Sequence, residues 1–285
     1  MSRAGDPLVR DISDTALWVA YYRAQETDRP DALFRDPFAR ALAGERGERI
    51  ARAQTFANKN AWSFVARTVL FDRFITAAVR GGADLVVNLA AGLDTRPYRM
   101  DLPKTLRWVD VDLPGMLDYK ESVLKGTAPV CALERVRLDL SDVAARRALF
   151  ARLAQASSRT AIVTEGLLIY LAPEEVASLA RDLAAVSPFR TWIADLVSPG
   201  LVKMMNAQGG EMVAAAGAPF KFAPAEGPAF FAALGWTPAQ VTSLLKTAGQ
   251  MNRLSFFMKL LSLLPESSTP PANRPWSAVI QLDRS

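Results

Sequence analysis

Two rhythms of apolar and polar positions divide the chain. Beyond about residue 84, short continuous apolar runs alternate with stretches whose apolar residues recur every three or four positions. The runs predict buried strands ending near Leu89, then over residues 106–111, 130–138, 160–164 and 191–197. The helical stretches fall between them, at residues 113–125 and 142–153 and in a segment opened by Pro173, Glu174 and Glu175. That last helix carries Val176, Leu179, Ala180 and Leu183 at core spacing. Regular strand–helix alternation with right-handed crossovers implies an α/β fold, a doubly wound and mostly parallel sheet covered on both faces.

Helical periodicity also fills the chain ahead of the first strand. Residues 14–23 read as a helix capped by Ser13 or Asp14, and Pro37 stands just inside a second helix start. A longer helix is predicted over residues 60–79, closed by Gly81 and Gly82. Residues 1–82 therefore form an N-terminal helical cap, and 83–285 the main domain. Residues 200–235, rich in Met, Ala, Gly and Phe, read as a helical insertion that either lines a pocket or packs as a lid. Residues 276–282 alternate well enough for a final edge strand.

Composition narrows the chemistry. Half of the 285 residues are hydrophobic and the net charge is +5, with acids and bases interleaved. No basic stripe studded with aromatics suggests nucleic-acid binding. The most apolar late run, residues 254–264, is short and contains Lys259, so no membrane span or signal peptide is expected. Cys131 stands alone, which suits a reducing cytoplasm. The chain has no histidine. A serine triad, histidine ligation of haem and a histidine zinc site are excluded, and any proton must move through Asp, Glu, Tyr, Lys, Cys or water. No metal site is expected.

The first strand opens into Ala90-Ala91-Gly92-Leu93-Asp94-Thr95-Arg96, a turn of small residues at the strand end where open α/β sheets bind ligands. A dinucleotide fingerprint needs three glycines; the matching positions are Ala90, Gly92 and Thr95, so only the middle one is present. Asp94 in the loop would repel a pyrophosphate. A cofactor with positive charge and no phosphate fits better, as in S-adenosylmethionine. Asp112 lies twenty residues past Gly92, where an acid can accept both ribose hydroxyls; as a plain structural residue it would cap the helix that follows. Asp110, two residues earlier, is the competing acid.

The segment from Asn88 to Arg96 resembles the first motif of class I S-adenosylmethionine-dependent methyltransferases of the leucine carboxyl methyltransferase superfamily, bacterial O-methyltransferase branch. That motif usually reads Gly-Ala-Gly-Leu-Asp-Thr-Arg. Ala90 replaces its first glycine, and Asn88 stands where an acid is common. An alanine costs little if its φ is negative, so the change reads as retuned affinity rather than loss. The resemblance runs from about Asp14 to Ile280 and is weakest in the last third.

It implies a Rossmann-like, seven-stranded methyltransferase sheet and a set of site residues. Arg67 matches the arginine that binds the cofactor's carboxylate; unaided, it would read as a solvated helix-face residue. Asp112, in Val109-Asp110-Val111-Asp112, matches the ribose-binding acid, and Asp139-Leu140 the adenine-binding pair. Thr164-Glu165-Gly166-Leu167-Leu168-Ile169-Tyr170-Leu171 resembles the motif after the fourth strand. There Glu165 would orient the cofactor's amino group or face the acceptor; a structural role for it needs a named cation. Tyr170 borders the acceptor or simply packs. Asp94 is placed near the amino group or sulfonium, whereas Arg96 and Arg99 tie the loop to acidic neighbours.

The implied activity is methylation of a carboxylate or hydroxyl oxygen on a small, polyketide-like acceptor. A protein C-terminal carboxylate is the alternative, but the lysine that those enzymes use near the cap has Val19 about where it would fall. A cofactor-binding protein without catalysis and a nicotinamide dehydrogenase are the remaining readings.

Overall fold

The computed structural model describes residues 13–208, 214, 217–265 and 272–285. Four helices come first: α1 (Asp14–Thr27), α2 (Ala39–Ala53), α3 (Thr55–Lys59) and α4 (Ala61–Arg80). Then strands and helices alternate as β1 (Leu85–Leu89), α5 (Arg96–Arg99), β2 (Arg107–Asp112), α6 (Pro114–Val123), β3 (Ala132–Arg137) and α7 (Val143–Ala154). They continue as β4 (Thr160–Thr164), α8 (Pro173–Ala184), β5 (Phe189–Val197) and α9 (Pro199–Ala207). A 3-10 segment (Gly227–Leu234), β6 (Trp236–Ser243), α10 (Leu244–Gln250), α11 (Phe256–Ser262) and β7 (Ser277–Arg284) complete the order.

The seven strands lie in the order β3-β2-β1-β4-β5-β7-β6, with β7 antiparallel to both its neighbours. The order in which successive strands are added reverses between the parallel neighbours β1 and β4, the point at which a doubly wound sheet leaves a crevice at its carboxyl edge. Period-two alternation sends Leu85, Val87 and Leu89 into one core with α7 and α8, and Val86 into the other with α4 and α10. Ala66, Leu70, Phe71, Phe74 and Ile75 of α4 pack directly on the sheet, so the cap drawn at residue 82 shares its core with the strands.

Two readings of the sequence change here. Residues 277–284 form a strand, but it lies between β5 and β6 rather than at an edge. The edge is β6, which the hydrophobic pattern does not reveal: it carries Pro238, polar residues and a register shift between Pro238 and Gln240. A proline is tolerated there because an edge strand leaves amide positions unpaired. Pro37 also sits two residues ahead of α2 rather than inside it, and the neighbouring Asp36 is buried. Of the insertion at 200–235, the described residues form α9 and the 3-10 segment; residues 209–213 and 215–216 lie outside the description. Among the described residues, no helix is long and apolar enough to cross a membrane.

Candidate active site

The carboxyl edge of the sheet opens into a cavity of about 1410 Å³. Arg67, Ala90, Gly92, Asp94, Asp112, Asp139, Leu140, Glu165 and Tyr170 all line it. β1, β2, β3 and β4 end at one level in the sheet register, which brings the loops after them together.

The loop after β1 turns through two left-handed residues, Gly92 at φ +46° and Ala90 at φ +53°. The expectation of a negative φ at Ala90 is therefore overturned. An L-residue in this region costs on the order of 1 kcal/mol, because its Cβ crowds the following carbonyl. The strain persists because the flanks of the loop are held from outside. From α1, Arg23 donates Nη2 to the Leu93 carbonyl (2.6 Å) and Nε to Asp36 (2.8 Å), and Thr95 Oγ1 donates to the same Asp36 carboxylate (2.7 Å). From α4, Asp72 accepts from Arg96 Nε at 2.7 Å and from both terminal nitrogens of Arg99 at 2.7 Å. Arg96 and Arg99 thus tie the loop to a carboxylate on a sheet-packed helix.

Asp94 is taken up by the loop itself. It accepts from Asn88 Nδ2 (2.9 Å), the Arg96 backbone N–H (2.8 Å) and Arg96 Nη1 (2.7 Å). Burial pushes its carboxyl up, but the Arg96 guanidinium, Lys120 and the Arg96 N–H outweigh burial and hold it at about 2. An acid at position 88 would meet that carboxylate head-on; the amide of Asn88 donates to it instead. This accounts for one departure from the usual motif.

The two candidate acids of β2 separate cleanly. Asp110 is fully buried and bonds Lys120 Nζ (2.8 Å) and Trp108 Nε1 (2.7 Å), away from the cavity lining. Asp112 faces the cavity, accepting from Gly92 N–H at 2.6 Å and Leu113 N–H at 2.7 Å. It does not cap α6 from the N-cap position, which Leu113 occupies. Burial raises its carboxyl despite those two N–H donors. Asp139 is exposed and accepts from the Ser141 N–H at 2.9 Å, a bond that holds its carboxyl below the usual range.

Glu165 has the cations that a structural role requires. Oε1 pairs with Arg67 Nε at 3.1 Å and Oε2 with Arg96 Nη1 at 2.8 Å. Arg67 also reaches Asp195 Oδ2 at 3.0 Å and lies over the Phe64 ring. Asp195, on β5, in turn accepts the Gly166 N–H at 2.7 Å. Gly166 has φ +70°, and a Cβ there would come within 3.3 Å of Arg67 Nη1. Asp195 is the site residue that the sequence reading missed; its only signal is one acid inside an apolar strand. Tyr170 bonds the Thr15 side chain, packs beside Phe220 and has its hydroxyl raised by burial. Cys131 is buried outside the cavity lining, and burial pushes its thiol up to about 11.

Much of the remaining lining is apolar. Leu201, Met204 and Met205 of α9, Leu245, Leu261 and Trp276 face it above β5, β7 and β6. On α11, Met258 and Leu261 line the rim while Phe256 and Phe257 are exposed.

A family model described as leucine carboxyl methyltransferase matches residues 16–184 of the chain. A protein of Parafrankia sp. described as a candidate S-adenosyl-L-methionine-dependent methyltransferase is 34% identical over 204 residues, 68% of this chain and 66% of that protein. Proteins with the same description from Streptomyces coelicolor and Mycobacteroides abscessus are 40% and 35% identical over 177 and 197 residues. These matches span 58% and 63% of this chain and 61% and 63% of those two proteins. The matched length is thus a little under two thirds of each relative. A DUF574 family protein of Streptomyces avermitilis superposes with a TM-score of 0.63 at 12% identity, over 95% of this chain and 97% of that one. A SAM-dependent methyltransferase of Anabaena variabilis superposes at 0.50, with 12% identity over 78% and 85% of the two chains. At such identities the likeness is one of fold. The family match covers more than half the chain, which belongs to the leucine carboxyl methyltransferase family, with S-adenosylmethionine as its cofactor.

Proposed function

We propose that the protein is an S-adenosylmethionine-dependent methyltransferase that methylates an oxygen of a small apolar acid. The observation that carries this reading is one cavity with two kinds of lining: carboxylates at the tips of β1, β2, β3 and β4 surround one half, and the other half is mostly apolar. The donor set fits the cofactor. Asp112 presents a carboxylate to the ribose hydroxyls, and Asp139 with Leu140 an acceptor and a backbone amide to the adenine. Arg67 presents a guanidinium to the carboxylate of the amino acid end, and among the described residues no cluster of unpaired cations invites a phosphate around the loop. When bound, the cofactor supplies an electrophilic methyl group on a positively charged sulfur.

The chain's own part is to align, dry and discharge. Alignment of two reactants in one cavity contributes as much as roughly 7–11 kcal/mol. Glu165, Asp94 and Tyr170, the titratable groups that the motifs set nearest the sulfonium and acceptor, are not poised as bases. Glu165 is bracketed by two guanidiniums, Asp94 is held at about 2, and burial keeps the Tyr170 hydroxyl protonated. An acceptor that arrives already ionised needs no base, which favours a carboxylate or an acidic phenol. Val19 lines the cavity as an apolar residue and offers no charge to a protein C-terminus.

A screen of apolar carboxylic and phenolic acids with a labelled methyl donor tests the reading. Label is expected in an ether or ester of at least one apolar acid; incorporation confined to amines or thiols contradicts it.

A further inference from the structure

Seven cationic side chains line the cavity, and five of them are occupied. Arg23 holds Asp36, Arg67 holds Glu165 and Asp195, Arg96 and Arg99 hold Asp72, and Arg146 holds Asp182. Lys246 and Arg274 make no ion pair with any described residue, yet both face the cavity. They stand together on one side of it: Lys246 is the third residue of α10, directly after β6, and Arg274 is three residues ahead of β7.

The backbone around Arg274 is fixed. Ser198 Oγ donates to the Arg274 carbonyl at 2.6 Å and accepts the Trp276 N–H at 3.0 Å. The Gly200 N–H bonds the Ala272 carbonyl at 2.7 Å, and a Cβ on Gly200 would lie 2.6 Å from the Asn273 backbone. Lys246 is half-buried, its amide facing the Ser243 hydroxyl that caps α10. Two cations without an ion pair among the described residues, on anchored backbone beside the apolar chamber, form a place for a negative charge with an apolar body attached.

That charge is not the oxygen that attacks. Methyl transfer from a sulfonium to an ionised oxygen removes both charges, so a cation bound to the attacking oxygen stabilises the ground state more than the transition state and slows the reaction. β7 and β6 lie two and three strand positions beyond β4. At ~4.8 Å per strand, that places the cations roughly 10–14 Å across the sheet from the cradle.

Resting on the methyltransferase reading, we propose that Lys246 and Arg274 form an anion-binding subsite of the acceptor pocket. It selects an elongated apolar acceptor carrying a negative group ~10 Å or more from the oxygen that is methylated. Leu201, Met205, Leu245 and Trp276 cover the apolar span between the two ends.

The test uses two probes with one apolar body. 8-Anilinonaphthalene-1-sulfonate and N-phenyl-1-naphthylamine differ by the sulfonate alone, and both fluoresce on apolar burial. Each is titrated into the full chain loaded with adenosylhomocysteine, as wild type and as the Lys246→Met/Arg274→Met double variant. The wild type is expected to hold the sulfonate about ten- to a hundredfold more tightly than the neutral probe, the range of a charge-assisted contact. The double variant is expected to bind both alike, with the neutral probe unchanged. A wild type that does not discriminate, or a variant that keeps the preference, overturns the proposal. An equal loss of both probes also overturns it, since it assigns the two residues to packing. Failure of adenosylhomocysteine to bind strikes the cofactor reading instead.

Discussion

Ala90 shows how one residue can keep a motif while changing its energetics. Its neighbours impose a left-handed backbone, and the methyl group adds strain that glycine would not carry. Ala90→Gly should therefore raise stability by about 0.5–1 kcal/mol, the strain relief less the extra freedom of glycine in the unfolded chain. Urea unfolding checks this; a fall in the midpoint would mean that the methyl contributes packing that outweighs the strain. Other residues owe their place to partners that only the fold supplies. Asp110 and Asp112 are indistinguishable by type and adjacent by alternation, yet one is sealed with Lys120 and the other faces the cavity. Glu165 reads as a functional acid from its motif, and the structure adds the two guanidiniums that also give it a structural task.

At the scale of elements, the loop after β1 is a clamped part rather than a free hinge. α1 holds it through Arg23 and Asp36, and α4 through Asp72. Asp36 is 1% exposed, so it depends on Arg23 for its charge balance. Arg23→Met should cost about 3–5 kcal/mol, because it leaves a buried carboxylate without its cation. Denaturant unfolding measures this directly, and a loss below about 1 kcal/mol would show that the clamp is ornamental. Strand and helix positions from β1 to β5 were legible because each element carries its own local period. β6 was not, since its proline and polar residues describe an exposed edge. Nor was the place of β7, which is set by pairing with a strand some eighty residues earlier in the chain.

Across the whole molecule, the site divides along the same line as the sheet. The half over β3-β2-β1-β4 is built from short motifs, each within a few residues of a strand end. Eight of the nine candidate site residues reach the cavity from the ends of β1 to β4 or the loops after them, and Arg67 reaches it from α4. The half over β5-β7-β6 is assembled from the end of the chain folding back between two strands. Lys246 and Arg274 reach the cavity there only through long-range strand pairing, as Asp195 on β5 reaches Arg67, and no local pattern announces them. On the proposed reading the first half takes the cofactor and the second the acceptor, so the acceptor is the part that a motif cannot name.

The most direct measurement is a calorimetric titration of adenosylhomocysteine into the wild-type protein and Asp112→Ala, with circular dichroism confirming an unchanged fold. Binding at one site per chain is predicted, weakened about ten- to a hundredfold in the variant, the roughly 1.5–3 kcal/mol of a charge-assisted hydrogen bond. Equal affinity in the two proteins, or no binding to a folded wild type, would contradict the account.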